Sequence, residues 1–434
     1  MTTDKTFKRR VRERMATTGE RYTTARRALL SDRAPTASPM PLGGVHPETA
    51  GLRALLGAAG VRDPRSERPL SEALLLLVGG GLGMGVFAFH YPEFSSLFLA
   101  GRHRWHAPRD WLDAAAARLG AAPRVWETGS AGAARRHLDE ALAAGPALAF
   151  VDLGTLEGRA GVEAYHLVVV HAVDEEGAVA YADVGTAVHR ASAERFAAAR
   201  ARIKKDRHRL WSLEGAPPVE AAALAAAVRT GLRAWPEALE DPGMGPASAN
   251  FRLDALATLA DRVAGRGGKA SWDGVFPAGE RLLVALTGLH EGVLHRFTGG
   301  GLLRPLAASG LREAADLLER PELEEVADRY DALGSVWDAL AEAVLPHEVP
   351  ELAAWAGVLE ARWARVDEPA EVADDAGDPE ADPHRDGAAR AAAVARLAGD
   401  PSLVGRIRAD LEAHLRRVHA DEVAALANLE RALA

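Results

Sequence analysis

The sequence of 434 residues contains no cysteine. Without a thiol, the protein can form no disulfide, offers no thiolate ligand to a metal and has no cysteine nucleophile. Long apolar runs are missing too, because runs such as residues 73–78 are far shorter than the roughly 20 residues that a membrane-spanning helix needs. The N-terminus is basic and has no apolar core of the kind found in secretion signals. We therefore expect a cytoplasmic protein that makes no membrane contact.

A surplus of positive charge is also absent, since the formal net charge is −9 at pH 7. That balance argues against nucleic acid as a partner of the whole protein. The exception is the basic segment at residues 6–27, in which Phe7, Val11 and Met15 form a narrow apolar stripe on a cationic helix. Two interpretations stay open. This helix binds an anionic partner such as a carrier protein, RNA or a nucleotide, or it packs its stripe on the rest of the protein.

Changes in composition divide the chain into six segments. Residues 44–215 mix strand and helix patterns, with helices predicted at residues 72–78 and 131–144, whereas residues 216–366 show helix patterns alone. Residues 367–387 carry nine acidic residues and cannot bury enough apolar surface to fold, so we predict a disordered linker there. The remaining segments are a basic N-terminal helical motif (1–34), a Pro- and Gly-rich linker (35–43) and C-terminal amphipathic helices (388–434).

The C-terminal segment has a regular apolar stripe. Leucine, isoleucine and valine recur at helical spacing at Leu403, Ile407, Leu411, Leu415 and Val418. Such a stripe packs either on its own protein or on a second copy of it. A homo-oligomer formed through this helix is therefore one of the alternatives.

A predicted β-hairpin places two ionisable side chains together. Two runs rich in valine, alanine and tyrosine, residues 165–174 and 178–183, flank an acidic turn that ends in Gly177. His166 opens the first strand and Asp183 closes the second, so antiparallel pairing brings them side by side. A carboxylate beside a histidine fixes the imidazole tautomer and stabilises its cation, as in nucleophilic active sites. These residues form the base half of such a site, but no nucleophile is evident.

Two other patterns do not support a cofactor or metal site. The glycine run at 79–85 follows a predicted helix and precedes a predicted strand, which is the reverse of the order in a dinucleotide-binding motif. His90, Glu93, His103 and His106 have no standard metal-ligand spacing and better suit the edge of a polar cleft. We predict neither a cofactor nor a metal ion.

Several motifs in order along the chain resemble a known family. They are Gly44-Val45-His46 with the leucines that follow, the glycine run, Gly101-Arg102-His103-Arg104-Trp105 and Tyr165-His166-Leu167-Val168-Val169-Val170. Together they resemble the N-terminal domain of butirosin biosynthesis protein H. The helical second half, through the glycine turn that precedes Arg304, is similar to the uncharacterised domain that commonly follows it.

The resemblance implies a fold and a reaction. The fold would be α+β and papain-like, related to the C39 peptidases, with a central helix packed on an antiparallel sheet and an all-α domain after it. The reaction would be acyl transfer from an acyl carrier protein to an amine at a Cys–His–Asp site, with His166 as base and Asp183 as its orienter. The nucleophilic cysteine belongs directly after His46, where this sequence has Pro47. Proline has no nucleophilic atom, so a covalent thioester route is closed at that position.

Two main hypotheses about function follow. In the first, His166 deprotonates a small-molecule amine, which attacks a carrier-bound thioester without a covalent enzyme intermediate. In the second, the protein is a pseudoenzyme that binds a carrier protein, peptide or metabolite; a purely structural or oligomerising role is a third alternative. Thr49 is a conceivable hydroxyl nucleophile one turn along the helix, and Arg304 lies either at the cleft or in a surface or helix-capping position. The full set of predicted cleft residues is His46, Pro47, Thr49, Arg102, His103, Trp105, Tyr165 and Arg304.

Overall fold

The computed structural model describes residues 14–15, 43–91, 95–157, 165–240, 242, 245–364 and 384–434. Residues 14–15 of the predicted basic helix are helical, and the rest of that helix lies outside the described residues, as do the Pro- and Gly-rich linker before residue 43 and most of the acidic linker. Within them the protein is α+β, and every strand pairing is antiparallel. None of the helices described is long and apolar enough to cross a bilayer.

The first half alternates helices and strands. In chain order these are α1 (Pro47–Ala58), α2 (Glu72–Val78), β1 (Leu82–His90), β2 (Ser95–Arg102), α3 (Pro108–Arg118), β3 (Ala122–Trp126), α4 (Ala131–Ala144), β4 (Ala147–Asp152), α5 (Leu153–Glu157), β5 (Tyr165–Val173), β6 (Val179–Ala182), β7 (His189–Ala191), α6 (Ala193–Arg202) and β8 (Leu210–Gly215). A 3₁₀ turn, Lys204–Asp206, lies between α6 and β8. The predicted bounds of α2 and α4 match the structure, whereas β2, α5 and β7 were not predicted.

The described residues of the second half form helices alone. They are α7 (Ala221–Glu240), α8 (Asp254–Val263), α9 (Trp272–Val275), α10 (Glu280–Leu294), α11 (Arg304–Leu318), α12 (Glu322–Ala343), α13 (Pro350–Ala364), α14 (His384–Gly399) and α15 (Pro401–Leu433). Short 3₁₀ turns are Gly245–Phe251, Gly268–Ala270 and Gly301–Leu303. Because α14 begins at His384, the last residues of the segment predicted as a disordered linker are helical.

A six-stranded sheet in the order β3-β8-β4-β5-β6-β7 supports α1. One of its two central strands, β4, is buried along its whole length, in keeping with the apolar residues 147–151 that precede Asp152. Helix α1 packs against the sheet at Gly51, where an added Cβ would come within 2.6 Å of Leu148 Cδ2. The glycine therefore sets how closely the helix approaches the strands.

Helix α2 joins the two halves of the molecule. All seven of its residues are buried, because α7 and α11 cover it on further sides. Gly231 and Gly310 allow these helices to touch its backbone, since an added Cβ would lie 1.9 Å from Leu77 O and 2.5 Å from Ala73 O respectively. The apolar core consequently runs without a break from the first half into the second.

The glycine run before β1 makes room for tryptophan rings. At three of these glycines an added Cβ would fall within 2.4 Å of an indole atom. The rings are those of Trp111 at Gly79, Trp235 at Gly81 and Trp105 at Gly85. Gly80 and Gly81 also have positive φ angles, of 111° and 68°, which glycine adopts without strain. A strand and not a helix follows the run, so its glycines serve close packing.

Helix α15 is covered by its own chain. Its predicted stripe is buried against α8 and α12, and Leu403, Ile407, Leu411, Leu415 and Val418 are all in the core. The stripe is therefore occupied within one molecule. This removes the reason that the sequence offered for a homo-oligomer formed through this helix.

Candidate functional site

His166 and Asp183 are paired at the ends of adjacent strands. His166 Nε2 lies 2.6 Å from Asp183 Oδ1, and both side chains are buried. The β5–β6 register explains the contact, since Val169 pairs with Ala182 and the two strand ends meet just beyond that point. The structure thus brings together the two residues that the sequence predicted as base and orienter.

The surroundings of Asp183 favour one state of the histidine. Asp183 Oδ1 also accepts the N–H of Val184 at 2.7 Å. An ionised carboxylate accepts hydrogen bonds only, so Nε2 carries the proton and Nδ1 carries the lone pair of His166. The ring also packs on Phe297 with their centroids 4.2 Å apart. Hydrogen bonding and packing together fix the orientation of the imidazole.

A cavity of about 360 Å³ opens beside His166. Its walls come from the start of α1, from β2 and the turn after it, from the start of β5, and from the loop between α10 and α11. The predicted cleft residues that line it are His46, Pro47, Arg102, Trp105 and Tyr165, together with His166. His166 and Pro47 at the start of α1 therefore face a common space.

The N-terminus of α1 is held by a carboxylate from α2. Glu72 Oε1 accepts the N–H of His46 at 2.8 Å, and Glu72 Oε2 accepts that of Val45 at 2.9 Å. His46, at the N-cap position, makes no side-chain cap of its own. Burial raises the pKa of Glu72, although these hydrogen bonds act in the opposite direction. Glu72 thus takes the place of the usual N-cap side chain and fixes the backbone at Val45 and His46, the second of which lines the cavity.

Pro47 removes two groups from this helix start. It has no side-chain nucleophile, and it has no N–H that could point into the cavity. The helix tolerates it because the first N–H groups have no partner within the helix in any case. The helix thus begins at the cavity with a residue that offers it neither a nucleophile nor an N–H.

Glu48 places a negative charge in the cavity wall. Its Oε1 lies 3.2 Å from Arg102 Nη2, and its Oε2 lies 2.9 Å from His46 Nδ1. Burial alone would raise the pKa of Glu48, but the charges of Arg102 and His46 hold it well below its usual range. Glu48 is therefore ionised at neutral pH and forms a cluster with Arg102 and His46.

Three predicted cleft residues do not line the cavity. Thr49 is fully buried, and its hydroxyl lies 2.7 Å from Glu72 Oε1, so it belongs to the helix cap and is not placed as a nucleophile. His103 packs behind the cavity, where an added Cβ at Gly80 would lie 2.7 Å from its ring. Burial lowers the pKa of His103 to about 3, with help from Arg104 and other cations, so it stays neutral.

Arg304 is the third of these residues. It is buried in an ion pair with Glu422 of α15, with 2.7 Å between Arg304 Nη2 and Glu422 Oε1. It lies one layer behind the wall, because Gly101 lines the cavity and an added Cβ there would fall 2.7 Å from Arg304 Nη1. Arg304 therefore lies neither at the surface nor in the cleft.

Other cavity residues were not predicted from the sequence. Apart from Glu48, they include Phe98 on β2, Lys205 in the 3₁₀ turn, and Arg296 and Phe297 in the loop after α10. The loop residues are more than 100 positions from His166, and no short motif marks them. Glu48 was within reach of the sequence, since it directly follows the position of the missing cysteine.

The described residues do not form a metal site. No group of three or more histidine, aspartate or glutamate side chains among them is placed to share an ion. Of the four residues considered from the sequence, Glu93 lies outside the described residues, and His90 Nδ1 is 3.1 Å from Ser95 Oγ.

Two family models match successive parts of the chain. Residues 46–183 match the family described as Butirosin biosynthesis protein H, N-terminal. Residues 194–351 match a domain of unknown function, DUF4872. No curated protein matches the chain. The first match begins at His46 and ends at Asp183, and the second contains Lys205, Arg296 and Phe297, so both contribute to the cavity. Over residues 46–183 the chain is therefore similar to the butirosin biosynthesis protein H N-terminal family, and a match to a second domain follows, as the resemblance predicted.

Proposed function

We propose that this protein transfers an acyl group from a thioester to an amine in secondary metabolism, with His166 as general base. The observation that carries the proposal is the His166–Asp183 pair, 2.6 Å apart, beside a cavity that also contains the start of α1. The acyl donor would be an acyl carrier protein or a small thioester. The acceptor would be a small-molecule amine.

A papain-like fold related to the C39 peptidases is part of this proposal. Its support is the arrangement of one helix N-terminus against an antiparallel sheet whose hairpin carries a histidine and an aspartate. The family match to residues 46–183 is compatible with such a fold. A fold alone does not establish an activity, so the reaction is argued from the site.

The reaction proceeds without an acyl-enzyme intermediate. The amine nitrogen attacks the thioester carbonyl carbon while His166 Nδ1 accepts a proton from that nitrogen. Collapse of the tetrahedral intermediate breaks the carbon–sulfur bond, and the imidazolium returns its proton to the departing thiolate. Asp183 stabilises the imidazolium during the interval, because its carboxylate accepts the Nε2–H. Amide and thiol are the products, and no other reactant is consumed.

A second function is favoured by one specific observation. Pro47 lacks both a nucleophile and an N–H that could bind the carbonyl oxygen in the transition state. Losing such a donor typically lowers the rate by about 10²–10³-fold. The alternative is therefore a pseudoenzyme that binds an acyl carrier arm, a peptide or a metabolite in the cavity without turnover.

The lack of cysteine allows a clean test of the reaction. A thiol-reactive dye reports only the thiol that leaves the substrate, because the protein contributes none. Acyl N-acetylcysteamine thioesters are incubated with a panel of primary amines, and amide products are identified by mass spectrometry. We expect amine-dependent thiol release, and we expect His166→Ala to lower it by about 10²–10⁴-fold. His171→Ala is the matched control, because His171 is on the same strand but does not line the cavity.

The alternative makes the opposite prediction. If wild-type protein releases no thiol above the buffer rate while it binds the thioesters, acyl transfer is wrong and a binding function remains. Pro47→Cys then separates the two further, since it restores a thiol beside His166. Acylation of that cysteine in a protein that is otherwise inactive would show a pseudoenzyme built on an active fold.

A further inference from the structure

The charged side chains that line the cavity are mostly cationic. Among the described residues that line the cavity there is one carboxylate, Glu48, and there are three cations, Arg102, Lys205 and Arg296. Glu48 is already paired with Arg102 at 3.2 Å. The charges of Lys205 and Arg296 thus remain in excess, in a protein whose net charge is −9. A positive cavity in an acidic protein attracts anions selectively.

Lys205 has no carboxylate partner among the described residues. Its ammonium lies 4.1 Å from the centroid of the Tyr165 ring, and its side chain is exposed. The adjacent Asp206 is turned inward, where its Oδ1 lies 2.7 Å from Arg209 Nη1. The acidic residue nearest in sequence is therefore committed to another cation, and Lys205 faces the cavity with its charge uncompensated.

Arg296 has only part of a counter-charge. Its Nη2 lies 3.4 Å from Glu291 Oε2, while Glu291 Oε1 lies 3.5 Å from Arg362 Nη1 and accepts the indole N–H of Trp363 at 2.9 Å. One carboxylate is thus shared between two guanidinium groups. The cluster of Glu291, Arg296 and Arg362 therefore keeps a positive charge where Arg296 lines the cavity.

We propose that the cavity binds an acyl donor that carries a carboxylate or phosphate group, with Lys205 and Arg296 as its counter-charges. The uncharged part of the donor would lie along the aromatic side chains of Phe98 and Trp105, whose centroids are 4.9 Å apart, toward His166. This inference rests on the proposed function, because it names the substrate class for the same site. It concerns binding alone, so it can be tested without turnover.

Two matched pairs of probes test the charge and identify its source. Pantetheine and 4′-phosphopantetheine differ by a phosphate on the carrier arm. Pentanoyl and glutaryl N-acetylcysteamine thioesters differ by a carboxylate on the acyl group. In calorimetric titrations we expect the anionic member of at least one pair to bind about tenfold more tightly, as charge-assisted contacts allow. The pair that shows the preference identifies where the anion belongs.

Variants connect that preference to the two cations. Lys205→Gln and Arg296→Gln should each reduce the preference, and together they should abolish it. Lys204→Gln is the control, because Lys204 is exposed in the same turn but does not line the cavity. If Arg296→Gln is misfolded by circular dichroism, Lys205→Gln decides alone, since an exposed side chain can be changed without loss of the core.

Three results would overturn the inference: equal binding within both pairs, no binding of either anion, or a preference that survives the double substitution. The outcome is independent of catalysis, because the same titrations are repeated with His166→Ala. A preserved preference with no acyl transfer by wild type would refute the proposed reaction and leave the anion site standing. Acyl transfer without any preference for the anionic probes would support the proposed reaction and refute the anion site.

Discussion

Two buried arginine–glutamate pairs in this protein have the same local design. Arg102 pairs with Glu48 and stacks on Trp111 with its guanidinium 4.8 Å from the ring centroid. Arg304 pairs with Glu422 and stacks on Trp337 at 5.2 Å. Each arginine also donates to a backbone carbonyl, that of His103 or Leu302. The first pair lines the cavity, whereas the second lies inside the helical core.

The pairs differ in how completely their groups are satisfied. Glu422 Oε1 accepts hydrogen bonds from Arg304 Nε and from the indole N–H of Trp337, both at 2.7 Å. In the cavity pair, Arg102 Nε has no acceptor among the described residues. The comparison suggests that the core pair holds α15 to the rest of the protein. The cavity pair keeps an unused hydrogen-bond donor, Arg102 Nε, among the described residues.

The largest expected effect comes from breaking the core pair. Glu422→Ala leaves Arg304 and the Trp337 indole without their acceptor in a site from which water is excluded. Loss of one partner of a buried ion pair typically costs about 3–5 kcal/mol in the free energy of unfolding. Urea denaturation monitored by circular dichroism measures this cost.

Glu430→Ala serves as its control, because Glu430 lies on the same helix but is exposed. A similar, small loss in both variants would contradict the view that Glu422 anchors the helix. It would make the core pair no more important than a surface charge, and the contrast between the two pairs would disappear.

A smaller loss of stability is expected at the cavity. Glu48→Ala leaves Arg102 next to an open space in which water can solvate the guanidinium, so we expect a loss of about 1–3 kcal/mol. Ligand binding should change more than stability does, since the substitution removes the only carboxylate among the described residues of the cavity lining. Binding of anionic probes should then tighten, whereas Glu422→Ala should leave the selectivity of the folded protein unchanged. Tightening in both variants would show that the two pairs are not functionally distinct.

The sequence predicted local features of this arrangement and missed the distant ones. Helices α2 and α4 and the His166–Asp183 hairpin follow from patterns within a few residues. Strand β2 escaped prediction because it is covered on both faces for half its length, which removes the alternation of an exposed strand. Glu422 is 118 positions from Arg304, and no pattern near either residue announces their contact.

The same limit explains the candidate site. From the sequence, Arg102 was a predicted cleft residue, whereas Arg304 lay either at the cleft or in a surface or helix-capping position. Only the fold shows that Gly101 separates them, with Arg102 on the cavity side and Arg304 behind it. Long-range packing decides which of two similar residues meets a ligand, and a single sequence does not contain that information in local form.

The smallest expected effect is a difference in acid stability between Glu48 and its neighbour Glu72. Arg102 and His46 lower the pKa of Glu48 despite its burial, below the ordinary value of 4.5. Above pH 4.5 its ionised form therefore contributes fully to stability, and that contribution is lost as the pH falls through the lower pKa of the folded state, because the unfolded chain takes up a proton first. Over the first pH unit below 4.5, the free energy of unfolding falls by at most about 1.4 kcal/mol.

Glu72 should behave in the opposite way, because burial raises its pKa. The folded state then holds a proton that the unfolded chain has released, so its contribution decreases as the pH rises above 4.5. Chemical denaturation of wild type, Glu48→Gln and Glu72→Gln between about pH 3.5 and 6 would measure how the contribution of each carboxyl group to stability changes with pH. Relative to wild type, Glu48→Gln should lose less stability on acidification, and Glu72→Gln should lose less as the pH rises. Parallel curves for all three proteins would mean that neither carboxyl group titrates differently on folding, and the charged cluster at the start of α1 would then not control the cavity as inferred.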